Sequence, residues 1–239
     1  MSISNLEILA YEPSPLGLLC LRRRELLSQP GTIVTEVTLD HEFLMSSLYT
    51  DSERALARTA LEMHSGDELR VLVGGLGLGY TAREALLSQR VARVEVVELL
   101  PQVIDWLARG LVPLSSELQH AMGGEIGKGR RLVVTQGDVY RRLAGEPDEL
   151  LDVILIDVDH SPDERLAEES ARFYTTPGLL AARRHLAADG VLAVWSYAES
   201  SPFADALREV FEQVRVEPIT YDNRLIDQQQ TDWLFFARG

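Results

Sequence analysis

Val71-Leu72-Val73-Gly74-Gly75-Leu76-Gly77-Leu78-Gly79-Tyr80 is the stretch on which the fold turns. An apolar run passes into a glycine-rich turn and then into residues with helical spacing, the pattern of a buried strand, a tight turn and a helix. Glycine suits such a turn for two reasons. It adopts left-handed backbone angles without a Cβ penalty, and it leaves bare main chain against which a ligand can lie. Gly75, Gly77 and Gly79 are spaced G-x-G-x-G, which suits a nucleoside held without a pyrophosphate. The dinucleotide spacing G-x-G-x-x-G fails from Gly75, where Tyr80 takes the last place, but Gly77, Gly79 and Ala82 fit its looser form ending in alanine. The glycines alone therefore leave a nicotinamide cofactor open.

Downstream, strand and helix patterns alternate, which predicts a Rossmann-like α/β fold with a mostly parallel sheet and crossover helices. Strands are expected at residues 69–73, 92–97, 131–135, 152–156 and 191–196. Helices are expected at 80–88, 101–109, 177–186 (closed by Gly190 as a C-cap) and 202–214. Residues 111–130 read as a polar, glycine-bearing loop. The chain ends in two strand-like pieces, 216–221 and 233–237, with no helix between them, so they should pair antiparallel at one edge of the sheet. Upstream, residues 6–46 read as short strands around Pro13, Pro15 and Gly17, and a helix over 52–64, N-capped by Asp51 or Ser52, leads into the main domain. The expected organisation is a small β-hairpin region over residues 1–50 and a nucleoside-binding catalytic domain over 51–239.

A length of 239 residues, 46% of them hydrophobic, suffices for one main domain with a small appendage. A net charge of −14 argues against nucleic acid as a partner, because phosphate-binding surfaces are normally basic. The same acidity suits a cationic substrate, or simply solubility. Arg22-Arg23-Arg24 reads as a solvated strand edge that discourages pairing. There is no apolar run of membrane-spanning length and no leader-like N-terminus, which points to the cytoplasm and no membrane partner. Cys20, in Leu18-Leu19-Cys20-Leu21, reads as a buried thiol, and no metal-ligand spacing stands out.

Three strand ends carry acids. Glu98 closes Val94-Glu95-Val96-Val97-Glu98 and can accept from both ribose hydroxyls, with Leu99 beside it in the same pocket. Asp138, after Gln136-Gly137, can accept from an adenine amino group or cap the helix that follows. Asp157 and Asp159 end the apolar strand Val153-Ile154-Leu155-Ile156, and with His160 they form the candidate catalytic set. Near-adjacent carboxylates and a histidine can hold a cationic amine or take its proton.

Taken together these residues resemble the spermidine/spermine synthase family, which shares the class I methyltransferase fold. The resemblance rests on Gly74 to Gly79, Glu98, Gly137-Asp138, Asp157, Arg172-Phe173-Tyr174-Thr175, the N-terminal hairpin near Gly17, and the closing Pro218-Ile219-Thr220-Tyr221 and Trp233-Leu234-Phe235-Phe236. It implies S-adenosylmethionine or its decarboxylated form as the bound nucleoside and a small-molecule acceptor. The oligomeric state stays open, the N-terminal β piece being a surface that a homodimer could use. Three departures bear on the reaction. The family's turn acid is Gly77 here, its second Asp-x-x-Asp acid is shifted to Asp159 or replaced by His160, and its Tyr-His-Glu segment falls at Met45-Ser46-Ser47. Lost acids weaken a cation site, so methyl transfer to a small molecule is the leading expectation. Aminopropyl transfer to a polyamine and a non-catalytic nucleoside-binding protein are its alternatives.

Overall fold

A computed structural model describes residues 6–126, 129–158, 161–163, 168–223 and 228–239. The chain opens with a four-stranded antiparallel sheet in which β1 (Leu6–Ser14), β2 (Gly17–Glu25), β3 (Ile33–Leu39) and β4 (Glu42–Ser46) follow in order. The last of these closes the stretch read as short strands. It is reached through the two-residue turn Asp40-His41, whose φ values of 48° and 73° belong to a type I′ hairpin. Asp40 also fixes the opposite corner: its Oδ1 accepts from the Leu18 N–H at 2.7 Å.

The arginine run lies inside this sheet, not along an edge. β2 is paired on both sides, and Arg22 and Arg24 reach from it to Glu36 of β3 at 2.9 and 2.6 Å. Glu36 is only 2% exposed. Burial pushes its carboxyl up, but the hydrogen bonds and charges of Arg24 and Arg22 outweigh that and hold it below the usual range. Cys20, on the same strand, is a buried free thiol.

Helix α1 (Asp51–Met63) leads to the second sheet. Its N-cap is Thr50, which makes no side-chain cap bond, while Ser52 sends its hydroxyl to Asp232 instead of capping. There follow β5 (Leu69–Gly74), α2 (Tyr80–Leu87), β6 (Val91–Glu98), α3 (Pro101–Ala108), α4 (Ser115–Met122), the two-residue β7 (Glu125–Ile126) and β8 (Gly129–Arg130), and β9 (Leu132–Gln136). The chain continues through α5 (Val139–Ala144), β10 (Leu151–Ile156), α6 (Glu168–Phe173), α7 (Thr176–Arg183), β11 (Leu186–Ser196), α8 (Ser201–Val210), β12 (Gln213–Asn223) and β13 (Gln228–Arg238).

The larger sheet has the order β12-β13-β11-β10-β5-β6-β9. β9, β6, β5, β10 and β11 run parallel, and β13 and β12 pair antiparallel at one edge as expected. Alternate residues of the central strands serve two cores. Val71, Val73, Val153 and Leu155 pack on one face and Leu72, Ile154 and Ile156 on the other, the period-2 pattern of a sheet covered on both sides. Order reverses at β5: the chain builds out to β6 and β9, then returns to β10 and β11. The crevice beyond the carboxyl ends of β5 and β10 is the topological switch point, where such sheets bind ligands.

Two segments differ from expectation. The stretch 111–130 holds α4, whose Leu118 is fully buried; with only Ser115 and Leu118 buried, the helix has too thin an apolar stripe to announce itself. Gly190 does not cap α7, which ends at Arg183. It lies within β11, where the register shifts, and a Cβ there would come within 2.9 Å of Leu186.

Candidate active site

The three glycines of the turn answer different demands. All have positive φ, at 93°, 51° and 93° for Gly75, Gly77 and Gly79. A Cβ on Gly75 would lie 2.1 Å from the Asp157 carbonyl oxygen, and one on Gly79 would lie 2.4 Å from Leu118 Cδ1. Those two are bare because the protein's own atoms fill the space. At Gly77 a Cβ would meet only Met45 Sδ, at 3.5 Å, so this glycine alone has room at its side-chain position.

Glu98 is 6% exposed and faces the turn. Its Oε2 accepts from the Leu76 N–H and its Oε1 from the Leu100 N–H, each at 2.7 Å. Burial raises its pKa, while these main-chain amides and those of Gly77 and Leu99 oppose the shift. The two 2.7 Å bonds take one acceptor position on each oxygen of the carboxylate. Leu99 projects next to it, half exposed. Asp138 caps α5, with Oδ1 accepting from the Tyr140 and Arg141 N–H groups, and Oδ2 lies outside that cap.

On the other side of the switch point stands Asp157. Its carboxylate is bonded to the Thr81 hydroxyl of α2, which also lies 3.3 Å from the Glu53 carbonyl of α1. Asp232 of β13 accepts from Ser52 Oγ at 2.7 Å, and Ser52 lies 3.1 Å from both Glu53 Oε2 and Trp195 Nε1. Three elements remote in sequence thus bring Glu53, Asp157 and Asp232 to one crevice. Aromatic rings border it: Tyr49 and Tyr221 stack at 4.9 Å, and Tyr80 lies under the Arg54 guanidinium at 5.1 Å.

These carboxyl groups are far from their ordinary state. Burial, then the Asp157 charge, pushes Glu53 up to about 8. Burial pushes Asp157 up to about 6, with Thr81 opposing and Asp232 adding to the rise. Asp232 is raised by burial too, and Tyr221 is pushed up to about 12 by burial and by Asp232 and Glu53. Among the described residues no Lys, Arg or His pairs with any of the three acids. Two other buried acids do have such partners, Glu36 in Arg22 and Arg24 and Glu95 in Arg142 and Arg93, while buried Glu98 is held by main-chain amides alone. No described group of three or more His, Cys, Asp or Glu residues is placed to hold a metal ion.

Of the expected catalytic set, Asp157 reaches the crevice, whereas Asp159 and His160 lie outside the described residues. Sequence reasoning missed Glu53, Thr81 and Asp232. The one visible signal was an acid in Thr231-Asp232-Trp233-Leu234-Phe235-Phe236, a strand otherwise rich in buried apolar residues. No described helix is long and apolar enough to cross a membrane.

No protein-family profile matches the chain. Over 133 residues it is 39% identical to "Polyamine aminopropyltransferase 2" of Streptomyces coelicolor, a match covering 54% of this chain and 22% of that protein. The chain therefore spans only a small part of that relative's length. A spermidine synthase crystallised with the transition state analogue AdoDATO superposes with a TM-score of 0.72 at 20% identity, covering 97% of this chain and 73% of the other. The spermidine synthase of Thermotoga maritima gives 0.72 at 19%, covering 97% and 72%. Human methyltransferase-like protein 13, in complex with SAH, gives 0.56 at 17%, covering 78% and 81%. The chain thus shares the fold of these spermidine synthases over nearly its whole length, and over 133 residues its sequence is similar to part of the Streptomyces protein.

Proposed function

We propose that this chain is an aminopropyltransferase, moving a propylamine group from decarboxylated S-adenosylmethionine to an amine acceptor. The observation that carries the reading is the convergence of Glu53, Asp157 and Asp232 without a cationic side chain among the described residues. Three half-desolvated acids repel one another. An alkylammonium seated among them supplies the counter-charge that arginine supplies at Glu36. The acids that the sequence lacks at Met45-Ser46-Ser47 have counterparts here on α1 and β13, which is why polyamine chemistry displaces methyl transfer as the first reading. The relative's printed name and the spermidine synthase fold lean the same way.

The residues of the turn suit an adenosyl donor: Gly77 leaves room beside Met45, Glu98 is an acid at the strand end placed for the sugar, Leu99 offers an apolar surface to the base, and Asp138, whose Oδ1 caps α5, would turn Oδ2 to an amino group. The donor supplies an electrophilic carbon next to a sulfonium, whose sulfur leaves with the bonding pair as a neutral thioether. The chain's part is alignment and proton removal. Asp157, near 6, is mostly ionised at neutral pH, so it can take the proton that the acceptor nitrogen sheds as its bond to carbon forms. Glu53 and Asp232, with the Tyr49 and Tyr221 rings, hold the rest of the acceptor.

Methyl transfer from intact S-adenosylmethionine is the second reading, favoured by Gly77, where no acid stands to disfavour the donor's carboxylate. Incubation with putrescine and either donor, read by product mass, separates the two. Aminopropylated amine from the decarboxylated donor is expected. Methylated product from the intact donor alone would overturn this choice, and binding of either donor without turnover would favour a non-catalytic protein.

A further inference from the structure

We propose that Thr81 is a positioning residue through which the donor-binding turn sets the orientation of Asp157. This rests on the reading of Asp157 as the acceptor-side acid. Thr81 follows Gly79 and Tyr80 in the first turn of α2 and is only 2% exposed. A hydroxyl so buried must find its partners within the protein. Its partners are the Asp157 carboxylate and the Glu53 carbonyl, so one side chain joins the start of α2, the first turn of α1 and the end of β10.

The main chain of Asp157 is tied to the same turn. Its N–H donates to the Gly74 carbonyl at 2.8 Å, and its own carbonyl occupies the space a side chain would need at Gly75. With the backbone fixed by Gly74 and Gly75, side-chain rotation is the freedom left to Asp157. Thr81 removes it by engaging Oδ2, which leaves Oδ1 for the acceptor nitrogen. A hydroxyl has one proton to give. Spending it on Asp157 forgoes the Glu53 carbonyl, and ionisation of Asp157 is what favours that choice. The titratable and charged groups on this side of the crevice are Glu53 of α1, Asp232 of β13 and Tyr221 of β12, with Tyr80 of α2 and Arg54 of α1 beyond them. Among these groups, Thr81 is the neutral donor bonded to the Asp157 carboxylate.

The test compares Thr81→Val, which keeps the shape and loses the hydroxyl, with Thr81→Ser, which keeps the hydroxyl. In Thr81→Val, donor affinity measured by calorimetry should stay within about 2-fold while kcat/KM for the amine falls roughly 10- to 100-fold, the usual loss for a hydrogen bond to a charged group. The acid limb of the pH profile should move up, because the bond stabilises the ionised carboxylate. Thr81→Ser should restore both. If the valine variant does not fold, Thr81→Ala takes its place. Wild-type-like kcat/KM and pH profile in the valine or alanine variant would overturn the proposal, as would a serine variant equally impaired. The acceptor-site reading is tested apart from it by Asp157→Asn: amine turnover that survives there sinks that reading. A carboxyl NMR titration of Asp157 needs no turnover at all, and an unmoved titration in Thr81→Val also overturns the role of Thr81.

Discussion

Glu36 and Glu53 are both enclosed by protein, and their surroundings drive them in opposite directions. Glu36 sits in the small sheet between two guanidinium groups, which keep it ionised despite burial. Glu53 sits in the crevice of the larger sheet among hydroxyls, an indole and two further acids, and burial pushes it toward the neutral form. Where this chain encloses negative charge for its own architecture, as at Glu36 and again at Glu95, it brings arginine along. At the crevice it does not. The contrast separates a structural ion pair, complete in itself, from a set of acids left without a counter-charge, which on the proposed function a cationic substrate would complete.

The largest effect should come from breaking the finished side of that contrast. Replacing Arg22 and Arg24 together with methionine leaves Glu36 buried without a counter-charge, and such a loss typically costs about 3–5 kcal/mol. Urea titration should show it as a large drop in the unfolding midpoint, most severe above pH 5, where Glu36 must ionise or remain neutral at a cost.

Relieving the unfinished side should do the reverse. Glu53 has its pKa raised in the folded chain, so the folded state binds more protons than the unfolded one between the ordinary glutamate range and about 8. Over that window stability falls as pH rises. Glu53→Gln removes the penalty: the variant should gain about 1–2 kcal/mol at pH 8 and almost nothing at pH 4, with Tm moving by roughly 2–4 °C per kcal/mol. The same variant should lose amine binding. A stable variant that binds the amine normally would place the acceptor elsewhere.

A finer test follows from charge linkage. A cationic amine that settles among Glu53, Asp157 and Asp232 lowers their pKa values, so binding near pH 7 should release protons. Calorimetry in buffers of different ionisation enthalpy should register that release, and it should vanish in Glu53→Gln. The smallest effect is expected at Gly77. An aspartate there has room beside Met45 and a φ of 51° that aspartate tolerates better than most residues. Gly77→Asp should cost about 1 kcal/mol or less and shift preference toward the decarboxylated donor.

The residues of the proposed donor side could be picked out in the sequence because each is part of a local motif. The glycine turn, Glu98 after its strand and Asp138 before its helix are contiguous motifs at strand ends, and the alternation of strands and helices places those ends together. The proposed acceptor side was not legible in this way. Glu53 reads as an ordinary acid in a helix's first turn, Thr81 as a helix residue, and Asp232 as a charge beside an apolar strand. Only the strand order, with β13 inserted next to β11, brings Asp232 toward Asp157. Met45-Ser46-Ser47 lacks the acids whose absence points to methyl transfer, while carboxylates stand on α1 and β13. The arginine run misled for a similar reason: a strand's neighbours decide whether its charges face water or a partner.

Cys20 gives the small sheet a chemical clock of its own. It is the chain's single thiol and lies buried in β2, held between β1 and β3. A thiol-specific dye added to the native protein reacts at a rate set by how often that side chain, 8% exposed, is uncovered. Its labelling rate therefore times motion of the N-terminal sheet, with no second sulfhydryl in the larger sheet to blur the signal.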